Sequence, residues 1–150
     1  MSYDSREDTI VHIANVRVKL QQVIEGLQRR GEKHDASKLQ SPEKEIFDKF
    51  TPLLKGTTYG SDEYNQFLKE MQIGLDHHYA NNSHHPQFYK DGLDGMSLLD
   101  VLEMFCDWKA ATERHADGDL AKSIVINEKR FNMNPQLTKI FQNTKKELGW

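Results

Sequence analysis

Apolar residues recur at steps of three and four along almost the whole chain, which is the spacing of one face of an α-helix. The clearest example runs from about Arg6 to about Arg30, with an apolar stripe at Ile13, Val16, Leu20, Val23, Ile24 and Leu27. Gly31 follows two arginines there, which is typical of a helix C-terminus. No stretch alternates as a strand would, so the pattern predicts an all-α protein, a compact bundle of about six helices.

Capping and helix-breaking residues divide the rest of the chain. Pro86 disfavours helical geometry at the preceding residue, so His84 and His85 are expected on the exit turn of a helix. No internal repeat or long linker is present, so we predict one domain over residues 1–150. The predicted segments are a short helix or turn at 34–39, helices over 42–54, 61–81, 96–115, 119–131 and 135–148, and loops at 56–60 and 87–95.

Composition narrows the class of protein. A length of 150 residues is usual for one domain, and a single cysteine excludes an internal disulfide framework and fits a reducing compartment. No apolar run approaches the ~20 residues of a membrane span. The net charge of −3 argues against nucleic acid bound by bulk electrostatics. We therefore expect a cytoplasmic protein with no membrane partner.

Histidine is the unusual component, because four of the seven histidines fall within residues 77–85. Histidines and acids with almost no cysteine favour imidazole and carboxylate metal ligands. His78 extends an apolar helix face by three residues and should point inward, whereas His77 is rotated away by about 100°. Neither His77 nor His115 belongs to a motif, and both are predicted to be bystanders.

The segment after His78 could complete a metal site. Either His84 or His85 could fold back over His78, and Asn82 could hydrogen-bond a ligand imidazole and fix its orientation. The alternative is a polar, partly exposed helix end.

Two further candidates precede this segment. At an irregular turn, adjacent His34 and Asp35 can both reach one cation, and Lys38 can lie over the same site and hold a phosphate. The alternative for this pair is a solvated loop. His12 shares the apolar stripe of the first helix, where a histidine is ordinarily a core residue with its hydrogen bonds satisfied.

Acidic residues form a stripe on the helix predicted over 96–115. Asp100, Glu103 and Asp107 follow the helical spacing, and the ordinary interpretation of such a stripe is a solvent-facing side. That interpretation suits Asp100. It suits Asp107 less well, because that residue lies between Cys106 and Trp108 in a strongly apolar run.

Taken in order, His12, His34-Asp35 and Asp107 resemble the H…HD…D pattern of the HD-domain superfamily of metal-dependent phosphohydrolases. A closer resemblance is to an uncharacterised family of phages and bacteria with the motifs HDxSK, HxxxNxHH and ExxxDW. These motifs match residues 34–38, 78–85 and 103–108, and the likeness extends from about residue 10 to about residue 145. The resemblance implies an HD-like bundle in the cytoplasm of a bacterium or of a phage-infected cell.

The resemblance also implies one or two divalent metal ions, of Mn, Fe, Co, Zn or Mg. A second ion would be bridged by Asp35 and completed by His78 with His84 or His85. The ligands implied for the first ion are His12, His34, Asp35 and Asp107.

The implied substrate is a nucleotide or another small phosphoester. Lys38 would hold a phosphate oxygen, and Glu103 could orient a ligand or accept a proton. Arg30 and Lys33 could attract the anionic substrate, and a homo-oligomer is compatible with the sequence. Two alternatives stay open: an HD-fold di-iron oxygenase, and a non-catalytic module that binds metal or sequesters a nucleotide, as a phage counter-defence protein could.

Overall fold

The computed structural model describes residues 3–58, 61–114, 116 and 118–150. All regular elements in this part of the chain are helical, and no strand occurs in it, so the predicted all-α class is confirmed. The chain divides into two units, Met1–His34 and Asp35–Trp150. The prediction of a single domain stays a prediction.

Seven α-helices and three short 3-10 turns lie within the described ranges. The turns are Ala36–Leu39, Pro86–Phe88 and Gly92–Gly95, of which the last two fall in the predicted loop at 87–95. None of the helices described is long and apolar enough to cross a membrane. The helices are α1 (Arg6–Lys33), α2 (Glu43–Lys55), α3 (Asp62–Glu70), α4 (Gln72–Asn81), α5 (Leu98–Thr112), α6 (Leu120–Arg130) and α7 (Pro135–Leu148).

The end of α1 differs from the prediction. The helix continues through Gly31 to Lys33, and His34 is its C-cap. The chain then turns at Asp35, which has a left-handed φ of 56°. Aspartate is one of the few residues other than glycine that tolerate this conformation, so Asp35 marks the turn that Gly31 was expected to make.

The helix predicted over 61–81 is wrong as a single element, because the helix breaks at Met71 into α3 and α4. Met71 itself is buried. Beyond the break, Gly74 packs so closely on α2 that a Cβ atom there would lie 2.8 Å from Cγ2 of Ile46. The change of direction therefore allows α4 to approach α2 through a residue without a side chain.

The apolar core of the second unit lies among α5, α6 and α7. Phe105 of α5 stacks on Phe141 of α7 with ring centroids 4.6 Å apart, and Trp108 meets Phe141 edge-on at 5.4 Å. This packing fixes the helix that carries Glu103 and Asp107. The buried members of the core are Met104, Phe105, Leu120, Ile124, Met133 and Phe141.

Asp100 corrects the solvent-facing interpretation of the acidic stripe. Its side chain is 1% exposed, and it forms a capping box with Ser97 at the start of α5. The carboxylate also accepts hydrogen bonds from the hydroxyls of Ser83 at 2.7 Å and Tyr89 at 2.8 Å. Burial raises the pKa of the Asp100 carboxyl, but these hydrogen bonds outweigh burial and hold that pKa well below its usual range.

The predicted segment over 96–115 begins and ends slightly differently in the structure. Ser97 caps α5, which ends at Thr112, and His115 lies outside the described residues. The predicted loop at 56–60 is described only as far as residue 58.

Candidate metal centre

Three imidazoles and one carboxylate converge in the second unit. We call these four residues the His/Asp cluster: Asp35, His78, His84 and His85. Each offers one potential ligand atom, and the four atoms lie within 4.8 Å of one another. Asp35 precedes the first 3-10 turn, His78 lies in the last turn of α4, and the other two histidines follow that helix. Both His84 and His85 are brought to the cluster, where the sequence left a choice between them.

Asp35 uses its two carboxylate oxygens differently. Oδ2 accepts from the ammonium group of Lys38 at 2.6 Å, and the main-chain carbonyl of Asp35 accepts from the amide of Lys38 at 2.9 Å. The other oxygen, Oδ1, lies 3.3 Å from Nε2 of His78 and 3.5 Å from Nε2 of His84. The lysine thus holds one side of the carboxylate, and the opposite oxygen faces the imidazoles.

The separations within the His/Asp cluster suit a divalent cation. Metal bonds of about 2.0–2.2 Å place neighbouring ligand atoms roughly 2.8–3.6 Å apart in tetrahedral or octahedral geometry. Three of the six pairs fall in this range: 3.3 and 3.5 Å from Asp35 Oδ1 to Nε2 of His78 and of His84, and 2.9 Å between Nε2 of His78 and Nε2 of His85. All six lie within 4.8 Å. Imidazole with carboxylate is a donor set used by Zn, Fe, Mn and Co. The residues present therefore fit such an ion.

The opposite nitrogen of His78 contacts a buried acid that the sequence did not single out. Nδ1 of His78 lies 2.9 Å from Oε2 of Glu43, a side chain with 0% exposure. A carboxylate can only accept, so Nδ1 donates its hydrogen and Nε2 turns its lone pair toward the cluster. The sequence presented Glu43 only as an acid in the first turn of a helix.

Glu43 is held by a small polar network. His77 places Nδ1 at 2.7 Å from Oε1, and Ser37 donates to Oε2 at 3.0 Å. Asn82 donates to Ser37 Oγ and to the carbonyl of His78, both at 2.8 Å. Burial raises the pKa of the Glu43 carboxyl, but the hydrogen bonds from His77, Ser37 and His78 outweigh it and leave that pKa below its ordinary value.

Like His78, His84 has a ring nitrogen close to an acid outside the His/Asp cluster. Its side chain is 1% exposed, and its Nδ1 lies 3.2 Å from Oε1 of Glu103 while Nε2 faces Asp35. Asp107 follows one turn later on α5 and has a carboxylate oxygen within 4.8 Å of a ring nitrogen of His84. The ExxxDW spacing accounts for this placement, because residues four apart share one side of a helix.

His85 is half-buried and stays neutral at physiological pH. Burial, together with the neighbouring imidazoles of His84 and His78, lowers the pKa of His85 to about 3, against the opposing charges of Asp107 and Asp35. A neutral imidazole is the form that binds a cation, so no proton must be displaced from His85 near neutral pH.

The remaining predicted residues lie on both sides of the boundary between the units. Lys38 is part-buried, and its ammonium group also lies 5.1 Å from the ring centroid of Phe47. The others belong to the first unit, and their predicted roles stay predictions: His12, Arg30, Lys33 and His34. The described residues of the first unit, 3–34, consist almost entirely of α1, so among them the apolar stripe that includes His12 has no second element to pack against.

An open groove of about 490 Å³ adjoins the His/Asp cluster. Tyr79 belongs to its wall, and the Tyr79 ring centroid lies 5.1 Å from that of His85. The Tyr79 side chain therefore links the groove to His85. The lining residues are Gln72, Asp76, Tyr79, Ala80, Gln87 and Phe88.

Comparison with known proteins relates the chain to one protein family. Searches of the curated proteins and of the solved structures found no match. One family model, described as a family of unknown function (DUF5662), matches residues 1–148. This match spans nearly the whole chain, and the protein therefore belongs to the DUF5662 family.

Proposed function

We propose that the protein is a metal-dependent phosphohydrolase that acts on a nucleotide or another small phosphoester. The observation that carries the proposal is the convergence of Asp35, His78, His84 and His85 at ligand-to-ligand distances, beside a lysine. The motif resemblance to HD-domain phosphohydrolases supplies the reaction class. The DUF5662 family is of unknown function and therefore indicates no reaction class.

The cation would be held by Oδ1 of Asp35 and by ring nitrogens of the three histidines. Asp107 lies near His84 and would belong to the other ion, for which the resemblance also implies His12, His34 and Asp35. The chemistry supplied by a bound divalent cation would be the acidification of water and the neutralisation of phosphoryl charge.

The protein's own residues would orient and balance this site. Glu103 lies behind His84, where its carboxylate can fix the direction of the imidazole. Lys38 neutralises part of the charge of Asp35 and is partly exposed, so its ammonium group can turn from that carboxylate to a phosphate oxygen. The positive charge of Lys38 would then stabilise the charge that develops on the phosphoryl group.

The groove favours a substrate with a flat, hydrogen-bonding part. Tyr79 and Phe88 contribute aromatic surface, while Gln72 and Gln87 contribute amides that can both donate and accept. A nucleotide whose phosphate lies on the cluster would place its base or sugar along this wall. This arrangement supports the nucleotide as the substrate class.

The test combines metal content with turnover. Protein purified without chelator is assayed for bound metal, and then for hydrolysis of nucleoside monophosphates, nucleoside triphosphates and a generic phosphodiester. We expect His78→Ala and His85→Ala to lose most of the metal and the activity, whereas Ile73→Ala, a change at an exposed position of the same helix α4 outside the groove, retains both.

The outcomes separate the candidate functions. Protein that contains no metal and takes up none of Mn, Fe, Co or Zn contradicts the proposal. Metal and nucleotide binding without turnover would indicate a non-catalytic module, and iron with redox-dependent activity would indicate an oxygenase. In each assay, circular dichroism shows whether a variant has kept its helices.

A further inference from the structure

Glu43 has an unusual setting for a carboxylate. It is the first residue of α2, its side chain has no exposed surface, and the donors around it are two adjacent imidazoles and a serine hydroxyl. A buried carboxylate is costly unless its oxygens accept several hydrogen bonds. The Glu43 carboxylate accepts from His77 at Oε1 and from Ser37 and His78 at Oε2, and His78 is a member of the His/Asp cluster.

We propose that Glu43 is a positioning residue that fixes the proton and the ring orientation of His78, and so makes Nε2 the cation-binding nitrogen. This inference rests on the proposed cation site. Nδ1 of His78 has two close neighbours, Oε2 of Glu43 at 2.9 Å and Nδ2 of Asn82 at 3.0 Å. Both hydrogens of Asn82 Nδ2 are directed to Ser37 Oγ and to the His78 carbonyl, so the carboxylate is the partner that places the hydrogen of a neutral His78 on Nδ1. The other tautomer would direct an N–H at Asp35 and His85, where a cation needs a lone pair.

The surroundings of Glu43 keep its carboxylate in one orientation. Ser37 donates to Oε2 and is itself held by the amide of Asn82, while His77 engages Oε1 from the same helix as His78. Phe47 also meets the His78 ring edge-on, with centroids 6.0 Å apart. The imidazole is therefore held by a charge at one nitrogen and by packing at its face.

The proposal assigns a role to His77 without making it a ligand. His77 Nδ1 lies 2.7 Å from Oε1, which leaves Oε2 to accept from His78 and Ser37. Loss of His77 would remove its donor from Oε1 and let the carboxylate rotate. We therefore expect a smaller effect from His77→Ala than from a change at Glu43.

The experiment compares Glu43→Gln with Glu45→Gln, a matched change on the same helix at an exposed position. Nitrogen-15 NMR of the metal-free protein, recorded where His78 is neutral, identifies the protonated ring nitrogen. Calorimetric titration with Zn²⁺ gives the affinity. We expect the hydrogen of wild-type His78 on Nδ1, roughly 10- to 100-fold weaker Zn²⁺ binding in Glu43→Gln, and little change in Glu45→Gln.

Two results would overturn the inference: a wild-type hydrogen on Nε2 of His78, or a Zn²⁺ affinity of Glu43→Gln equal to that of Glu45→Gln. If Glu43→Gln does not fold, Glu43→Asp is measured instead, because it keeps the charge but shortens the side chain by one methylene. An unchanged Zn²⁺ affinity of Glu43→Asp would likewise contradict the inference. If the wild-type protein binds no Zn²⁺, Mn²⁺ or Co²⁺, the proposed function fails, and the proton position on His78 still decides whether Glu43 holds the ring.

Discussion

The hydroxyl of Ser83 donates a 2.7 Å hydrogen bond to Oδ1 of Asp100. This bond joins the segment that carries His84 and His85 to the first turn of α5, the helix that carries Glu103. The other oxygen of Asp100 accepts from Tyr89 and from the backbone and hydroxyl of Ser97. The buried carboxylate of Asp100 therefore fixes the position of His84 and His85 relative to Glu103.

Replacing Asp100 with Asn should destabilise the protein by about 2–3 kcal/mol, because an amide nitrogen would face a hydroxyl or backbone donor where a carboxylate now accepts. Chemical denaturation with urea measures this loss. Asp91→Asn, a change just before the 3-10 turn Gly92–Gly95, serves as the control and should alter the free energy of unfolding by less than about 0.5 kcal/mol. Equal stability of the two variants would contradict the anchoring role of Asp100.

The same carboxylate predicts a pH dependence. The folded pKa of Asp100 lies below its unfolded value, so its contribution to stability is complete above about pH 4 and declines as the pH falls below that value. The wild-type free energy of unfolding should fall more steeply than that of Asp100→Asn below pH 4. Parallel curves for the two proteins would show that Asp100 is not the group responsible.

His85 also makes stability fall with the pH, but over a higher range, because its folded pKa of about 3 lies below the ordinary pKa of histidine. The unfolded chain binds a proton at His85 as the pH falls below about 6.5, while the folded chain does not, so stability decreases from there toward pH 3. Metal-free His85→Gln should lose this part of the pH dependence. Nitrogen-15 NMR should show a neutral His85 ring at pH 5.5, and a charged ring at that pH would contradict the prediction.

Lys38 provides a test that separates metal binding from substrate binding. Its ammonium group lies 2.6 Å from Asp35, so Lys38→Met removes a positive charge next to the cation ligands. We expect Mn²⁺ or Zn²⁺ affinity to increase roughly three- to tenfold, and the affinity for a phosphate-containing ligand to decrease. Calorimetry measures both affinities, with Lys55→Met at the end of α2 as the control. Weaker metal binding in Lys38→Met would mean that the lysine serves mainly to shape Asp35.

Gly74→Ala should destabilise the fold by about 1–3 kcal/mol, because the new Cβ would lie 2.8 Å from Cγ2 of Ile46. Combining it with Ile46→Ala removes that atom and should recover part of the loss, as a double-mutant cycle can measure. Gly31→Ala, inside α1, should instead stabilise its helix by about 0.5–1 kcal/mol. Additive effects at positions 74 and 46 would contradict the close approach of α2 and α4.

Helical periodicity and capping residues were sufficient to predict the all-α class and most helix boundaries. The break at Met71 was not predictable, because the apolar spacing continues through it and the approach of Gly74 to Ile46 depends on a different helix. The end of α1 was misplaced for a related reason: Gly31 is a frequent stop, but the left-handed residue is Asp35.

The candidate site was predictable where its residues form motifs. Asp35, His78, His84 and His85 come from the HDxSK and HxxxNxHH segments, and the structure brings their ligand atoms together. Glu43 and Asp100 were missed because an acid near a helix start is common on solvent-facing turns. What distinguishes the two is burial among donors from other segments, which sequence spacing does not contain.

The shared carboxylate of Glu43 has a mechanical consequence for α4. Consecutive residues on a helix project about 100° apart, yet one acid contacts the nitrogens of both His77 and His78. Turning α4 about its own axis in either direction would pull at least one ring away from Glu43. α4 exposes Ile73 and buries Gly74 and His78. The burial of apolar side chains alone therefore does not favour one rotation of this helix about its axis. The contacts of His77 and His78 with the single carboxylate of Glu43 thus fix the rotation of α4 about its axis.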